Sequence, residues 1–129
     1  INRTSLYNIL KFEYNIHSLY DPCSYPGIQC KFFYNKANKI HDGTCHCSKK
    51  CNLNKKNKDN ICKVISFMIF RTGSILIVGN CDENILNIVY KFIVNILCLE
   101  YNKIRANDLV VTKTKKIKKY RKRVISFTK

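Results

Sequence analysis

The sequence predicts an α+β fold on an antiparallel sheet, and three segments carry that prediction. Val64-Ile65-Ser66-Phe67-Met68-Ile69-Phe70 is rich in β-branched and aromatic residues, Arg71-Thr72-Gly73 turns, and Ser74-Ile75-Leu76-Ile77-Val78 returns. That is the pattern of a β-hairpin. After Gly79, Ile85, Ile88, Val89, Phe92, Ile93, Ile96 and Leu97 recur every three to four positions, as one apolar stripe of a helix does. Near the start Leu6, Ile9, Leu10, Tyr14 and Ile16 fall at similar spacing.

In chain order, a helix is expected from Ser5 to about Leu19, with Ser5 as N-cap. Tyr20-Asp21-Pro22 ends it, because the residue before proline avoids the α region. Tyr25-Pro26-Gly27 turns into a strand from Ile28 to Tyr34, favoured by its aromatics. Residues 35–61 read as a polar excursion of Asn, Lys and Gly. The hairpin follows, then the amphipathic helix, capped by Asn80 or Asp82 and ending near Tyr101. Residues 102–112 give no clear signal. The rest is a basic tail with a short extended end at Val124-Ile125-Ser126-Phe127.

At 129 residues and 46% hydrophobic, the chain is one domain able to bury one core. No run of 18 uncharged apolar residues occurs, which excludes a transmembrane helix and leaves no membrane partner in view. The opening Ile1-Asn2-Arg3-Thr4-Ser5-Leu6 lacks a signal-peptide profile; without a starting Met it reads as cut from something longer. The 24 Lys and Arg outnumber 8 Asp and Glu for a net charge of +16. Residues 36–61 hold +5 of this and residues 113–129 hold +9, so the folded body is close to neutral. Such concentration favours a polyanionic partner, nucleic acid before membrane. Ile, Lys and Asn make up 51 residues, all writable in A/T-only codons, and an AT-rich genome accounts for part of the charge.

Side chains alternate along a strand, so Ile65, Phe67 and Ile69 share a face with Ile75 and Ile77, and Ser66, Met68 and Phe70 share the other with Ser74, Leu76 and Val78. A sheet with one wet face should alternate apolar with polar. This hairpin is apolar or small on both faces. Either missing sequence or another subunit covers the second face, or that face is itself a binding surface.

Tyr20-Asp21-Pro22-Cys23-Ser24-Tyr25-Pro26-Gly27-Ile28 resembles the Tyr-Glu-Pro-x-x-Phe-Pro-Gly-Leu segment of the TATA-box-binding protein family. Ile69-Phe70-Arg71-Thr72-Gly73-Ser74-Ile75-Leu76-Ile77-Val78-Gly79 resembles its Ile-Phe-x-Ser-Gly-Lys-Val-Val-x-Thr-Gly hairpin. The likeness is to the second of that family's two repeats, in the divergent form carried by large DNA viruses of eukaryotes. It covers about 20–34 and 62–101 well and 5–19 loosely. It implies a half-saddle over 1–110, its first strand missing; the Lys/Asn/Cys-rich insert that interrupts it at 35–61 and the basic tail at 111–129 are outside the likeness. It also implies helices on one sheet face, A/T-rich minor-groove DNA on the other, and a second half-saddle in the same or another chain. Factor IIB-like protein and RNA polymerase are implied as further partners, with action inside the cell, in a viral factory or the host nucleus, or packaging in the virion.

The resemblance places Tyr25 and Phe70 where the family has phenylalanines that wedge between base pairs. Such a wedge offsets a few kcal/mol of unstacking by letting bent DNA wrap more surface. The Tyr25 hydroxyl would need water or a polar DNA atom. Lys31 stands where the family has a phosphate-contacting arginine, keeping the charge without the bidentate fork. Leu76 corresponds to a minor-groove valine and Met68 to an apolar concave-face residue. Ser74 replaces a lysine and Val78 a threonine, which removes a phosphate-binding group and a hydroxyl that can bond a base edge. A relaxed A/T preference is the expectation. The alternative function is a protein-interaction module whose apolar sheet face binds another subunit.

Eight cysteines with no secretion signal read as reduced thiols. Cys45, Cys47, Cys51 and Cys62 crowd one polar segment, where a structural zinc would order an insert that lacks a core. Free thiols and a disulfide stay open as alternatives, and His46 or His41 could replace one cysteine as ligand. A small secreted disulfide protein is a third reading, which a count of eight free thiols would eliminate. Three His, scattered carboxylates and no glycine-rich phosphate loop offer no acid/base or nucleophile arrangement, so no enzyme is expected.

Overall fold

The computed structural model describes residues 1–48, 51 and 62–106. The basic tail expected over 111–129 lies outside them, as do residues 49–50 and 52–61 of the insert.

The chain is α+β. Helix α1 (Arg3–Asn8) runs into a π-helical turn (Ile9–Glu13); strands β1 (His17–Leu19), β2 (Ile28–Tyr34), β3 (Lys63–Ile69) and β4 (Ile75–Val78) follow, then α2 (Glu83–Leu99) and the short α3 (Tyr101–Ile104). The sheet order is β1-β2-β3-β4, and each pairing is antiparallel. Ile28, Cys30, Phe32, Ile65, Phe67 and Ile69 turn to one face, where Leu6, Ile9 and Leu10 meet them together with Ile85, Val89, Ile93 and Ile96 of α2. These residues are at least 95% buried. Apolar burial of this kind stabilises by roughly 25 cal/mol per Å². The helices therefore cover a single face.

The expected helix over 5–19 is corrected at both ends. Asn2, not Ser5, is the N-cap: its side chain accepts from the Ser5 N–H at 3.2 Å. The Tyr14 N–H reaches back five residues to the Ile9 carbonyl at 3.1 Å, which widens the last turn. Asn15 then adopts φ +53, a left-handed conformation that asparagine tolerates better than most residues. The chain reverses, and His17, Ser18 and Leu19 pair with Lys31, Cys30 and Gln29. The backbone groups on that edge of β2 need partners, and Ile16 and Ser18 reach the core at a strand's period of two. The second helix begins at one of its two expected caps: Asp82, not Asn80, accepts from the Ile85 N–H at 2.9 Å.

The insert is tied to the sheet where β1 has run out. The Phe33 N–H of β2 donates to the Gly43 carbonyl at 3.0 Å. Gly43 is buried at φ +81, and a Cβ there would lie 2.9 Å from Ile16 Cδ1 and 3.0 Å from the Phe32 ring. Only glycine combines that backbone angle with that approach.

Candidate functional site

The second sheet face carries no helix among the described residues. Cross-strand register sets it out in rows: Leu19, Gln29, Met68 and Leu76; His17, Lys31, Ser66 and Val78; then Phe33 and Val64. None is acidic. Leu76 is 46% exposed, Val78 49% and Leu19 60%, an unusual run of wet apolar side chains for a sheet that needs no partner. Sequence reasoning found the β3 and β4 members of this face. It missed His17 and Leu19, because their segment was read as helix; the alternation Ile16-x-Ser18 was the signal available.

At one end of the face sit the two aromatic residues expected as wedges. Tyr25 and Phe70 are half-buried, with ring centroids 6.0 Å apart and planes tilted by 55°. Both rings close over Gly27, where a Cβ would lie 3.0 Å from each. The Tyr25 hydroxyl donates to the Met68 sulfur at 3.4 Å, so the partner expected from water or DNA is supplied by the protein itself. Lys31 and Met68 are half-buried on the same face, and Lys31 Nζ donates to Ser66 Oγ at 2.9 Å. Ser74 is exposed on the β3–β4 turn, its hydroxyl 2.9 Å from that of Thr72. Gly73 takes φ +90 there.

Beyond the aromatic end lies an open cleft of about 610 Å³ whose lining includes Arg3, Arg71, Lys103 and Arg105 and no acidic residue. The Arg3 guanidinium donates to the Pro26 carbonyl and stacks 5.4 Å from the Tyr20 ring centre. Lys103 is paired to Glu100 at 2.8 Å and Glu13 at 3.4 Å, which among the described residues leaves Arg71 and Arg105 as the cleft's less committed charges.

At the other end of the sheet the four clustered cysteines converge. Cys62 immediately precedes β3, and the sulfurs of Cys45, Cys47, Cys51 and Cys62 all lie within 4.8 Å of one another. Cys47 is 3.3 Å from Cys62, Cys45 is 3.9 Å from Cys62, and Cys51 is 3.9 Å from Cys47. A tetrahedral zinc with bonds of about 2.3 Å places its sulfurs about 3.8 Å apart, whereas a disulfide needs about 2.05 Å. All eight cysteines are free thiols. Burial pushes the Cys45 thiol up, but the backbone N–H groups of Cys51 and Cys47, with the neighbouring thiols, outweigh it and bring it down to about 7. Burial raises Cys62, and hydrogen bonding among the thiols adds to the rise.

Neither histidine offered as a substitute ligand is part of this set. His46 Nε2 is 2.8 Å from Asp42 Oδ2 and 2.8 Å from the Thr44 hydroxyl, while His41 stacks on Tyr34 with centroids 4.9 Å apart. Burial disfavours the Asp42 carboxylate, yet hydrogen bonds from Thr44 and His46 hold its pKa below the usual range. Cys30, in the core, is pushed up to about 12 by burial. No helix among the described residues is long and apolar enough to cross a membrane. No protein-family model, no curated protein and no solved structure matches this chain.

Proposed function

We propose that this chain is a TATA-box-binding-protein-like transcription initiation factor that docks its open sheet face in the minor groove of A/T-rich DNA and kinks it. The observation that carries the reading is that face: uncovered among the described residues, its rows free of carboxylates, apolar at its β4 rim, and ending in two adjacent half-exposed aromatic rings. A minor groove offers degenerate acceptors, so recognition there depends on shape, burial and the ease of deforming the sequence. Tyr25 and Phe70 are the wedges, and Leu76, Val78 and Met68 line the floor contact. A half-saddle pairs with a second one, and a factor IIB-like protein and polymerase are the partners that would receive the bent DNA.

Lys31 favours this reading over a protein-docking face, since lysine is depleted from the cores of protein interfaces. The test is a bending assay with donor and acceptor dyes at the ends of a short A/T-rich duplex. The wild-type chain shortens the dye separation, and Phe70→Ala abolishes the bend while circular dichroism stays unchanged. Equal binding to GC-only and A/T-rich duplexes in competition would defeat the proposal.

For the cysteine cluster we propose a structural zinc held by Cys45, Cys47, Cys51 and Cys62. Four sulfurs close the coordination sphere and leave no position for a substrate. Metal analysis should find one zinc per chain, lost in Cys62→Ser; a chelator that changed neither metal content nor melting temperature would refute it.

A further inference from the structure

Lys31 and Ser66 are polar residues in the middle of a face whose β4 rim is apolar. They are direct cross-strand partners on the two central strands, with His17 beside Lys31 on β1 and Val78 beside Ser66 on β4. The family resemblance assigns Lys31 to a phosphate at the groove wall. Its bond to Ser66 Oγ at 2.9 Å instead draws the ammonium toward β3, over the centre of the sheet. The floor contact proposed for Met68, Leu76 and Val78 lies on β3 and β4, so an ammonium drawn toward β3 approaches the groove floor.

We infer that Lys31 and Ser66 form a donor pair that reads base edges on the minor-groove floor and selects A·T over G·C pairs; this rests on the minor-groove reading above. One ammonium N–H is used on the Ser66 oxygen. Among the described residues two further N–H groups and the Ser66 hydroxyl proton remain as donors, and the rows of the face hold no carboxylate to accept them. A·T pairs present only acceptors on the groove floor, adenine N3 and thymine O2, whereas G·C adds the guanine 2-amino donor. A donor facing a donor leaves both unpaired in a dry interface, which is costly. The position of Ser66 also bears on the hydroxyl that Val78 lacks relative to the family's threonine. Ser66 is the register partner of Val78, so a hydroxyl stands one strand over from the position where the family carries it.

The experiment uses the full chain and three duplexes that differ at the central pairs: A·T, inosine·cytosine and G·C. Inosine lacks the 2-amino group, so its pair shows the acceptors of A·T in the minor groove and the edge of G·C in the major groove. Wild type should bind the first two about equally and G·C weaker by roughly tenfold per pair. Lys31→Met with Ser66→Ala should lose most of that ratio, and Lys31→Arg with Ser66→Thr should restore it, with circular dichroism reporting an intact fold for each.

A double variant that keeps the A·T to G·C ratio overturns the inference and leaves groove docking standing. So does inosine·cytosine behaving as G·C. Uniform weakening on all three duplexes, with a salt slope lower by about 0.9, returns Lys31 to a phosphate. A wild-type chain that binds none of the duplexes removes both this inference and the reading it rests on.

Discussion

Gly43→Ala tests whether the insert is part of the domain or an appendage to it. The new Cβ would sit 2.9 Å from Ile16 Cδ1 and 3.0 and 3.2 Å from two atoms of the Phe32 ring. Ile16 is 2% exposed and Phe32 is fully buried, so neither can swing into solvent. Holding alanine at φ +81 costs roughly 1–2 kcal/mol, and overpacking a close-packed core costs roughly 1–3 kcal/mol. The sum is about 2–5 kcal/mol, a large share of the roughly 5–15 kcal/mol that holds a domain together. Urea denaturation at constant slope reads the loss directly. Hydrogen exchange at the Phe33 amide, which donates to the Gly43 carbonyl, should accelerate in step. A loss below about 1 kcal/mol with Phe33 protection unchanged would refute the idea that the insert seals this end of the core.

Three further outcomes are expected. Ser18 Oγ is buried with no hydrogen-bond partner among the described residues, so Ser18→Ala should raise stability by about 1 kcal/mol in the same denaturation assay; a drop in stability would mean the hydroxyl has a partner. Arg71→Ala with Arg105→Ala should lower the slope of log affinity for duplex DNA against log salt by up to about 0.9 for each phosphate that is no longer neutralised. An unchanged slope would show that the basic cleft lies off the DNA path. Cys30 is raised from 9.0 to about 12 by burial, so its neutral thiol favours the folded state. That contribution is complete below pH 9 and is lost as pH rises from there toward 12. Alkylation at pH 8 followed by mass spectrometry should mark the exposed Cys23 and Cys98 and spare Cys30; rapid labelling of Cys30 would contradict its burial.

Much of the fold was legible because hydrophobic period and local turn chemistry agreed. The hairpin of β3 and β4, the cap of α2 at Asp82 and the two-faced character of the sheet follow from alternation, from Gly73 at a positive φ and from a side-chain oxygen three residues ahead of a free N–H. The segment from Asn15 to Leu19 was not legible, since Ile9, Leu10, Tyr14 and Ile16 suit a helix as well as a helix followed by a strand. What decides it is the free edge of β2, which is non-local, together with the left-handed angle at Asn15. The candidate site divides the same way. The family resemblance pointed to Tyr25 and Phe70, and residue type and spacing to the four cysteines, but the Tyr25–Met68 bond, the Lys31–Ser66 pair and the seat of Gly43 depend on chain segments meeting in space, which spacing does not encode.

Tyr34 and Lys63 are partners in the β2–β3 register, yet residues 35–62 separate them. Closing a connection of that length costs about 2 kcal/mol more entropy than closing a four-residue hairpin, and it must be met before the central strands reward it. The convergence of Cys45, Cys47 and Cys51 on Cys62 shortens the path by bringing those three residues to the foot of β3. Captured metal would turn a distant strand pairing into a nearly local one and quicken refolding. The cell's thiol poise and zinc supply would then set how fast this protein matures, apart from how stable it finally becomes.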